Sequence, residues 1–420
     1  MSGQQQNWAA NYSYKAASIH RPSTVEEIQE IVSRGTKVKA LGTRHSFNDI
    51  ADTTEDLIST EELDRIVSLE PKNRTVTVEA GVTYGKLCPL LDEAGFAVLN
   101  MASLPHISVA GACATATHGS GDRNGNLSTA VSALEMIVAD GTLVSLSREK
   151  HGDRFLGSVV DLGALGVVVR VTLDVVPAFE MSQHVYENLS LTELDSHFEA
   201  IESSAYSVSL FTDWTGPIFN QVWLKSLTDG TKQNAPSTFF GAEAATTDLH
   251  PIPGASAINC TAQMGVAGPW HERLPHFRMD FTPSSGEELQ TEYLVPRPNA
   301  IDALHAVDRM RESIAPLLQI CEVRTIADDQ LWMSPCYRQP CVGIHFTWKK
   351  DPEGVGAILP KIESELAPFQ ARPHWGKLFS VPPARVASLY ERLPDFRKLA
   401  EGYDPNGKFR NGFLNRFIYG

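Results

Sequence analysis

Leu41-Gly42-Thr43-Arg44-His45-Ser46-Phe47-Asn48 sets the direction of the whole reading. The run Val38-Lys39-Ala40-Leu41 predicts a short strand, and Gly42 predicts the turn that ends it. Small polar residues follow, and successive backbone N–H groups in such a turn can cradle phosphate oxygens. His45 stands just past the turn, facing whatever the turn holds. The same spacing also suits a plain turn with a solvated histidine. A second stretch, NMASLPHISVAGACATATHGSG over residues 100–121, is long, small and mildly polar. Such a segment lets backbone approach a ligand closely and offers hydroxyl and N–H donors without bulk. It serves equally as a tightly packed internal segment. It has neither the GxGxxG spacing nor the P-loop lysine.

Around these two stretches the first half alternates short elements. Thr24 with Glu27 predicts a capping box, and Val25, Ile28, Ile31 and Val32 mark one helical face. Thr75 to Ala80 alternates as a strand and stops at Gly81. Leu87, Leu90, Leu91 and Ala94 predict a helix ending at Gly95, with Pro89 obscuring its start. Leu134–Val138, Asp140-Gly141 and Thr142–Leu146 predict a hairpin, and Val167–Val176 a β-branched strand closed by Pro177.

The second half reads differently. Strands are predicted at 221–224, 277–281, 290–294, 319–325 and 341–348. Helices are predicted through Ile301, Leu304, Val307 and Met310, and over 353–367. Residues 230–254 read as a long loop. The order implies an antiparallel α+β arrangement without a regular βαβ rhythm. Period two puts Glu322 with Arg324 on one strand face and His345 with Thr347 on another. If both faces look into one cavity, it holds an acid, a guanidinium, a base and a hydroxyl. Polyhydroxylated ligands need that mix, because each buried hydroxyl must find a partner. A half-exposed sheet with a polar outer face fits the same pattern. Lys377, in Pro373-His374-Trp375-Gly376-Lys377, is placed to close such a site, although a lysine beside a tryptophan also suits the surface.

Composition narrows the classes. A chain of 420 residues is long enough for two to three domains. With 36 basic against 50 acidic residues and no basic run, nucleic-acid binding is not expected. No 18-residue apolar stretch predicts a membrane span, and the polar start, Met1 to Asn11, lacks the apolar core of a secretory signal. Six scattered cysteines, 88, 113, 260, 321, 336 and 341, suggest free thiols in a cytoplasmic protein. No Gly-x-Ser-x-Gly or His-Glu-x-x-His occurs, and no metal centre is indicated.

The segments 42–48 and 100–121 together resemble the vanillyl-alcohol-oxidase-type flavoproteins. Residues 205–214, 268–277 and 371–377 extend the likeness over nearly the whole chain. It is greatest to the members that oxidise alditols. The resemblance implies an α+β, two-domain fold: a PCMH-type FAD-binding domain over 1–177, a cap with a large antiparallel sheet over 178–379, and a segment, 380–420, returning to the first domain. It implies FAD bound covalently, through the 8α-methyl group, to His45. It further implies flavin contacts from Leu41, Gly42, Thr43, Arg44, Ser46, Phe47, Ser103, His106, Ser108, Gly111, Ala114, Thr115, Ala116, Thr117, Gly119, Val168 and Lys377. Arg44 departs from the small residue that relatives carry there. Glu322, Arg324, His345 and Lys377 match catalytic positions, with Glu322 and Arg324 expected as a mutually oriented pair. Ser103, Thr347 and Gln290 match further substrate-binding positions. The implied reaction oxidises the C1 hydroxyl of an alditol such as xylitol or sorbitol to the aldose, reducing O2 to hydrogen peroxide, and the family likeness implies a monomer. The rivals are an aldonolactone-type flavin dehydrogenase and a non-catalytic flavin- or polyol-binding protein.

Overall fold

The computed structural model describes residues 5–232, 234–281 and 288–420. Near the N-terminus, three strands pair in parallel in the order Ser18–His20, Asp56–Ser59, Val38–Leu41. The helix Val25–Arg34 packs beside them. Its start follows the expected chemistry with a one-residue offset: Thr24 Oγ1 accepts from the Glu27 N–H, while the Glu27 carboxylate accepts from the Ser23 N–H at 2.7 Å. Val25, Ile28 and Val32 enter a core with Val38, Ile58, Ile137 and Val167. Pro89 sits inside the helix Tyr84–Glu93, which Thr83 caps. The proline costs that helix one backbone bond, so the helical face governs over the local breaker.

A five-stranded antiparallel sheet follows, ordered Ile66–Glu70, Thr75–Glu79, Val167–Asp174, Val131–Ile137, Leu143–Ser147. The expected hairpin pairs Leu134 with Leu146 and turns through Gly141 at φ 87°. Residues 180–373 build a ten-stranded sheet. At its centre Ser207–Thr212, Leu318–Ile326, Cys341–Lys349 and Glu288–Pro296 lie side by side, all antiparallel. Helices Leu191–Glu202, Ala300–Asp308 and Pro352–Leu366 cover one face, burying Cys321, Val323, Ile344 and Phe346. Alternation then turns Glu322, Arg324, His345 and Thr347 to the other face.

Two expectations need correction. Residues 277–281 are no strand: only Phe277 makes a bridge, to Cys260, before a turn in which the Phe281 N–H donates to the Arg278 carbonyl. Phe277 packs beside Phe211, Trp223 and Cys260, so apolar burial produced the strand-like pattern. The stretch 230–254 is not all loop, for Thr238–Phe239 and Ala242–Ala244 form a small hairpin on the sheet edge, with Phe239 against Tyr186. The parallel sheet was also unforeseen, because Ser18–His20 and Asp56–Ser59 are too short to show periodicity.

The C-terminal residues fold against the N-terminal ones. Asn411 Nδ2 donates to the carbonyls of Asp49, Ile50 and Asp52 at 2.8–3.1 Å, and the Val38 N–H donates to the Lys408 carbonyl at 3.0 Å. Asn411→Ala should remove those contacts, lower stability by about 1–3 kcal/mol and speed proteolysis of the tail. A thermal melt and a timed digest unchanged from the wild type would show that Asn411 does not tether it.

Candidate active site

A cavity of about 460 Å³ lies between the N-terminal elements and the polar face of the ten-stranded sheet. Residues 39–47, most of the small-residue segment from 102 to 118, and Asp161, Leu162, Gly163, Gly166 and Val168 form one wall. Two close approaches shape it. A Cβ on Gly42 would lie 2.7 Å from Ser108 Oγ, and one on Gly111 2.8 Å from the same atom. The Ser108 N–H donates to Thr43 Oγ1 at 3.1 Å, which ties the two quoted segments together. His45 stands in this wall, stacked on Trp8 at 5.3 Å and tilted against His106 at 5.4 Å. The Thr43 backbone is near the ring, yet no hydrogen bond of good geometry reaches either nitrogen. Burial, with His106 adding to it, pulls the His45 pKa down to about 3, so the ring is neutral.

Ser103, Thr115, Thr117, Gly111, Ala114 and Val168 also line the cavity. His106, Ala116 and Gly119 do not: His106 stands behind His45, against its ring. Ala116 is buried behind the wall with φ 54°, and a Cβ on Gly119 would lie 2.2 Å from the Met101 carbonyl, so this glycine serves packing. Arg44 also has a left-handed backbone, φ 64°; its exposed side chain reaches the Gln6 carbonyl at 3.4 Å.

The opposite wall comes from cross-strand register. Glu322 and Glu292 both pair with His345, and Gln290 pairs with Thr347. These side chains share a face and a cavity, and Lys377 enters from the loop after Arg372–Pro373. Glu292 is 1 % exposed, with Oε1 2.9 Å from Arg324 Nη2 and 3.1 Å from His118 Nε2, and Oε2 2.6 Å from Lys377 Nζ. Lys377 Nζ also contacts His345 Nδ1, and His345 Nε2 lies 3.1 Å from Thr347 Oγ1. Two guanidinium or ammonium groups thus face two carboxylates, Glu292 and Glu322. Burial alone would raise both acids. Lys377, His118 and Arg324 hold Glu292 well below the usual carboxylate range, and Arg324 and His276 do the same for Glu322. Burial pulls His345 to about 4, with the Lys377 charge acting the same way, and it also lowers Lys377.

The expected Glu322–Arg324 pair is looser than foreseen. Glu322 Oε1 is 2.8 Å from His276 Nε2, Arg324 bonds to Glu292, and 3.6 Å separates Glu322 from Arg324. Same-strand neighbours two residues apart stand further from each other than partners across the ladder. Glu292, His276 and His118 were not read as site residues. Period two extended from Gln290 reaches Glu292; His276 lay hidden beside the false strand, and His118 among small residues. Behind His276, buried Lys225 Nζ donates to the carbonyls of Arg273, Leu274 and Pro275 at 2.7–2.8 Å, fixing the loop that carries the histidine.

Comparison with known proteins bears on this architecture. Residues 16–147 match the FAD binding domain family, and 284–417 match the D-arabinono-1,4-lactone oxidase family. The chain is 50% identical to alditol oxidase of a Streptomyces species over 99% of both chains. It is 27% identical to L-gulono-1,4-lactone dehydrogenase of Mycobacterium tuberculosis over 98% of both, and 25% identical to L-gulonolactone oxidase of Mus musculus over 99% of this chain and 98% of that one. Cholesterol oxidase from B. sterolicum shares the fold, with a TM-score of 0.79 at 14% identity over 99% of this chain and 96% of that one. Fold and site together define a two-domain flavoprotein of vanillyl-alcohol-oxidase type. Within that class, the chain belongs to the alditol oxidase family. The residues present fit FAD: two glycines whose side-chain space is already filled, an unbonded buried imidazole, and a cavity reaching from that imidazole's wall to the ionic cluster.

Lys225→Met should leave the buried carbonyls of Arg273 and Leu274 without a donor, Pro275 keeping the Thr261 hydroxyl at 2.9 Å, and cost about 2 kcal/mol. It should also weaken the His276–Glu322 contact. A thermal melt within a degree or so of wild type would show that water replaces the ammonium at no loss.

Proposed function

We propose that this protein is an FAD-dependent alditol oxidase that converts the terminal CH2OH of a polyol such as xylitol or sorbitol to the aldehyde, with O2 reduced to H2O2. The observation that carries this reading is the convergence of Glu322, Arg324, His345, Thr347 and Lys377 on one cavity whose opposite wall holds His45. Identity of 50% to an alditol oxidase, against 25–27% to the lactone enzymes, favours the polyol over the lactone. The reading includes covalent attachment of the flavin to a His45 ring nitrogen, the division of the chain at 177 and 379, a monomer, and a cytoplasmic setting. No helix among the described residues is long and apolar enough to cross a membrane.

When bound, FAD supplies the hydride acceptor and the oxygen-reactive centre. The chain's own task is to bind the polyol and remove the hydroxyl proton. Glu322, Arg324, Thr347, Gln290 and Ser103 give the substrate hydroxyls acceptors and donors at fixed places, so that each buried hydroxyl has a partner. Lys377, its pKa lowered by burial, takes the C1 hydroxyl proton as the neutral amine. The resulting ammonium finds two acceptors in place, Glu292 Oε2 and His345 Nδ1. His345 is neutral, and its Nε2–H directed at Thr347 Oγ1 leaves Nδ1 free to accept. Burial of both walls keeps water from competing for these contacts.

Anaerobic reduction of the yellow protein by xylitol should slow roughly 100-fold or more in Lys377→Met. The wild-type rate should rise with pH as Lys377 deprotonates, with a midpoint below the ordinary lysine value of 10.5, while His345 stays neutral throughout. A profile flat from neutral to alkaline pH contradicts the lysine base. Acid precipitation of wild-type protein should carry the yellow colour into the pellet, and His45→Ala should release it. Colour in the supernatant of both removes the covalent link. Peroxide formed with alditols supports the substrate, whereas turnover only with a lactone and a dye acceptor supports the dehydrogenase.

A further inference from the structure

Among the groups that converge on the cavity, Glu292 is only 1 % exposed and engages other side chains through both carboxylate oxygens. Its Oε1 lies 2.9 Å from Arg324 Nη2 and 3.1 Å from His118 Nε2, and its Oε2 lies 2.6 Å from Lys377 Nζ. These partners come from three separate places: the strand Leu318–Ile326, the loop beyond Arg372–Pro373, and the small-residue segment of the N-terminal wall. His118 Nδ1 faces the Gly119 carbonyl at 2.9 Å, so both its ring nitrogens face acceptors. We propose that Glu292 is the positioning residue of the site, a single buried carboxylate that aims Arg324 at the substrate, holds Lys377 against His345, and couples both to the N-terminal wall through His118. This inference rests on the alditol oxidase reading and adds to it a residue that acts through others without touching the substrate.

Two consequences separate positioning from mere packing. First, the carboxylate favours the charged form of Lys377. The other groups facing that ammonium are Glu288, Glu322, Arg324, His345 and His374, and none of the acids among them is as close as Glu292. Removing the charge therefore lets Lys377 lose its proton more readily. Secondly, an amide offers one acceptor oxygen where the carboxylate offers two, so Arg324 and Lys377 can no longer both keep their bond to this side chain, and the other acid beside Arg324, Glu322, stands at 3.6 Å.

The test is anaerobic flavin reduction by xylitol in the holoenzyme across pH, for wild type, Glu292→Gln and Glu292→Asp. Glu292→Gln should move the acid limb of the profile about one to three pH units lower, and the substrate concentration giving half the limiting rate should rise about tenfold. Glu292→Asp keeps the charge, so its limb should stay at the wild-type position while the half-saturating concentration rises. Simple loosening would lower the rate at every pH and leave the limb in place, and that result for Glu292→Gln overturns the proposal. Should Glu292→Gln fail to fold, Glu292→Asp decides alone: wild-type half-saturation and wild-type rate overturn the positioning role. Wild-type protein that no alditol reduces ends the functional reading and this inference with it, whereas wild-type turnover with an unmoved limb ends the inference only.

Discussion

A buried carboxylate stays ionised only if cations and hydrogen-bond donors surround it, and that constraint organises this molecule. Glu292 is almost wholly inaccessible, yet Arg324, Lys377 and His118 hold it as an anion. An isolated charge in such a place would cost several kcal/mol, and pairing offsets that cost only when the geometry is tight. Tight geometry in turn requires a strand, a loop and an N-terminal segment, far apart in the chain, to meet within hydrogen-bond reach. The ten-stranded sheet and the FAD-binding part are thereby joined at the point where chemistry is to take place. Cores of ordinary apolar packing on either side, one under the five-stranded sheet and one under the helices of the large sheet, supply the stability that the ionic cluster does not.

How much of this was legible follows from which physical signals are local. Helical faces and β alternation are local, so Val25–Arg34, the Leu134–Leu146 hairpin and the paired polar faces of 322–324 and 345–347 could be read from spacing. Register is not local. Nothing in the stretch 288–296 says that Glu292 will stand opposite His345, because that depends on which strands pair and on the turns that join them. The strand read into 277–281 failed for the same reason in reverse. Its aromatic residues pack against the sheet with almost no ladder of their own, and period alone cannot tell those two fates apart. Most residues carried by family likeness line two facing walls of the cavity, His106, Ala116 and Gly119 excepted, while Glu292, His276 and Lys225 needed the third dimension.

The two walls differ in electrostatic character, and the difference suits their tasks. Around His45 the ring contacts are aromatic, and burial keeps its imidazole neutral with both nitrogens free of hydrogen bonds. A neutral, desolvated imidazole keeps its lone pair for bond formation, where a protonated one has none to offer. The facing wall holds its charges in balance, two cations against two carboxylates, with neutral His345 between Lys377 and Thr347. Placing the lysine on the aromatic side would leave its charge without an acceptor. Under the proposed function, separation of the two environments across one cavity lets the chain hold a cofactor by one histidine and handle a substrate proton beside another.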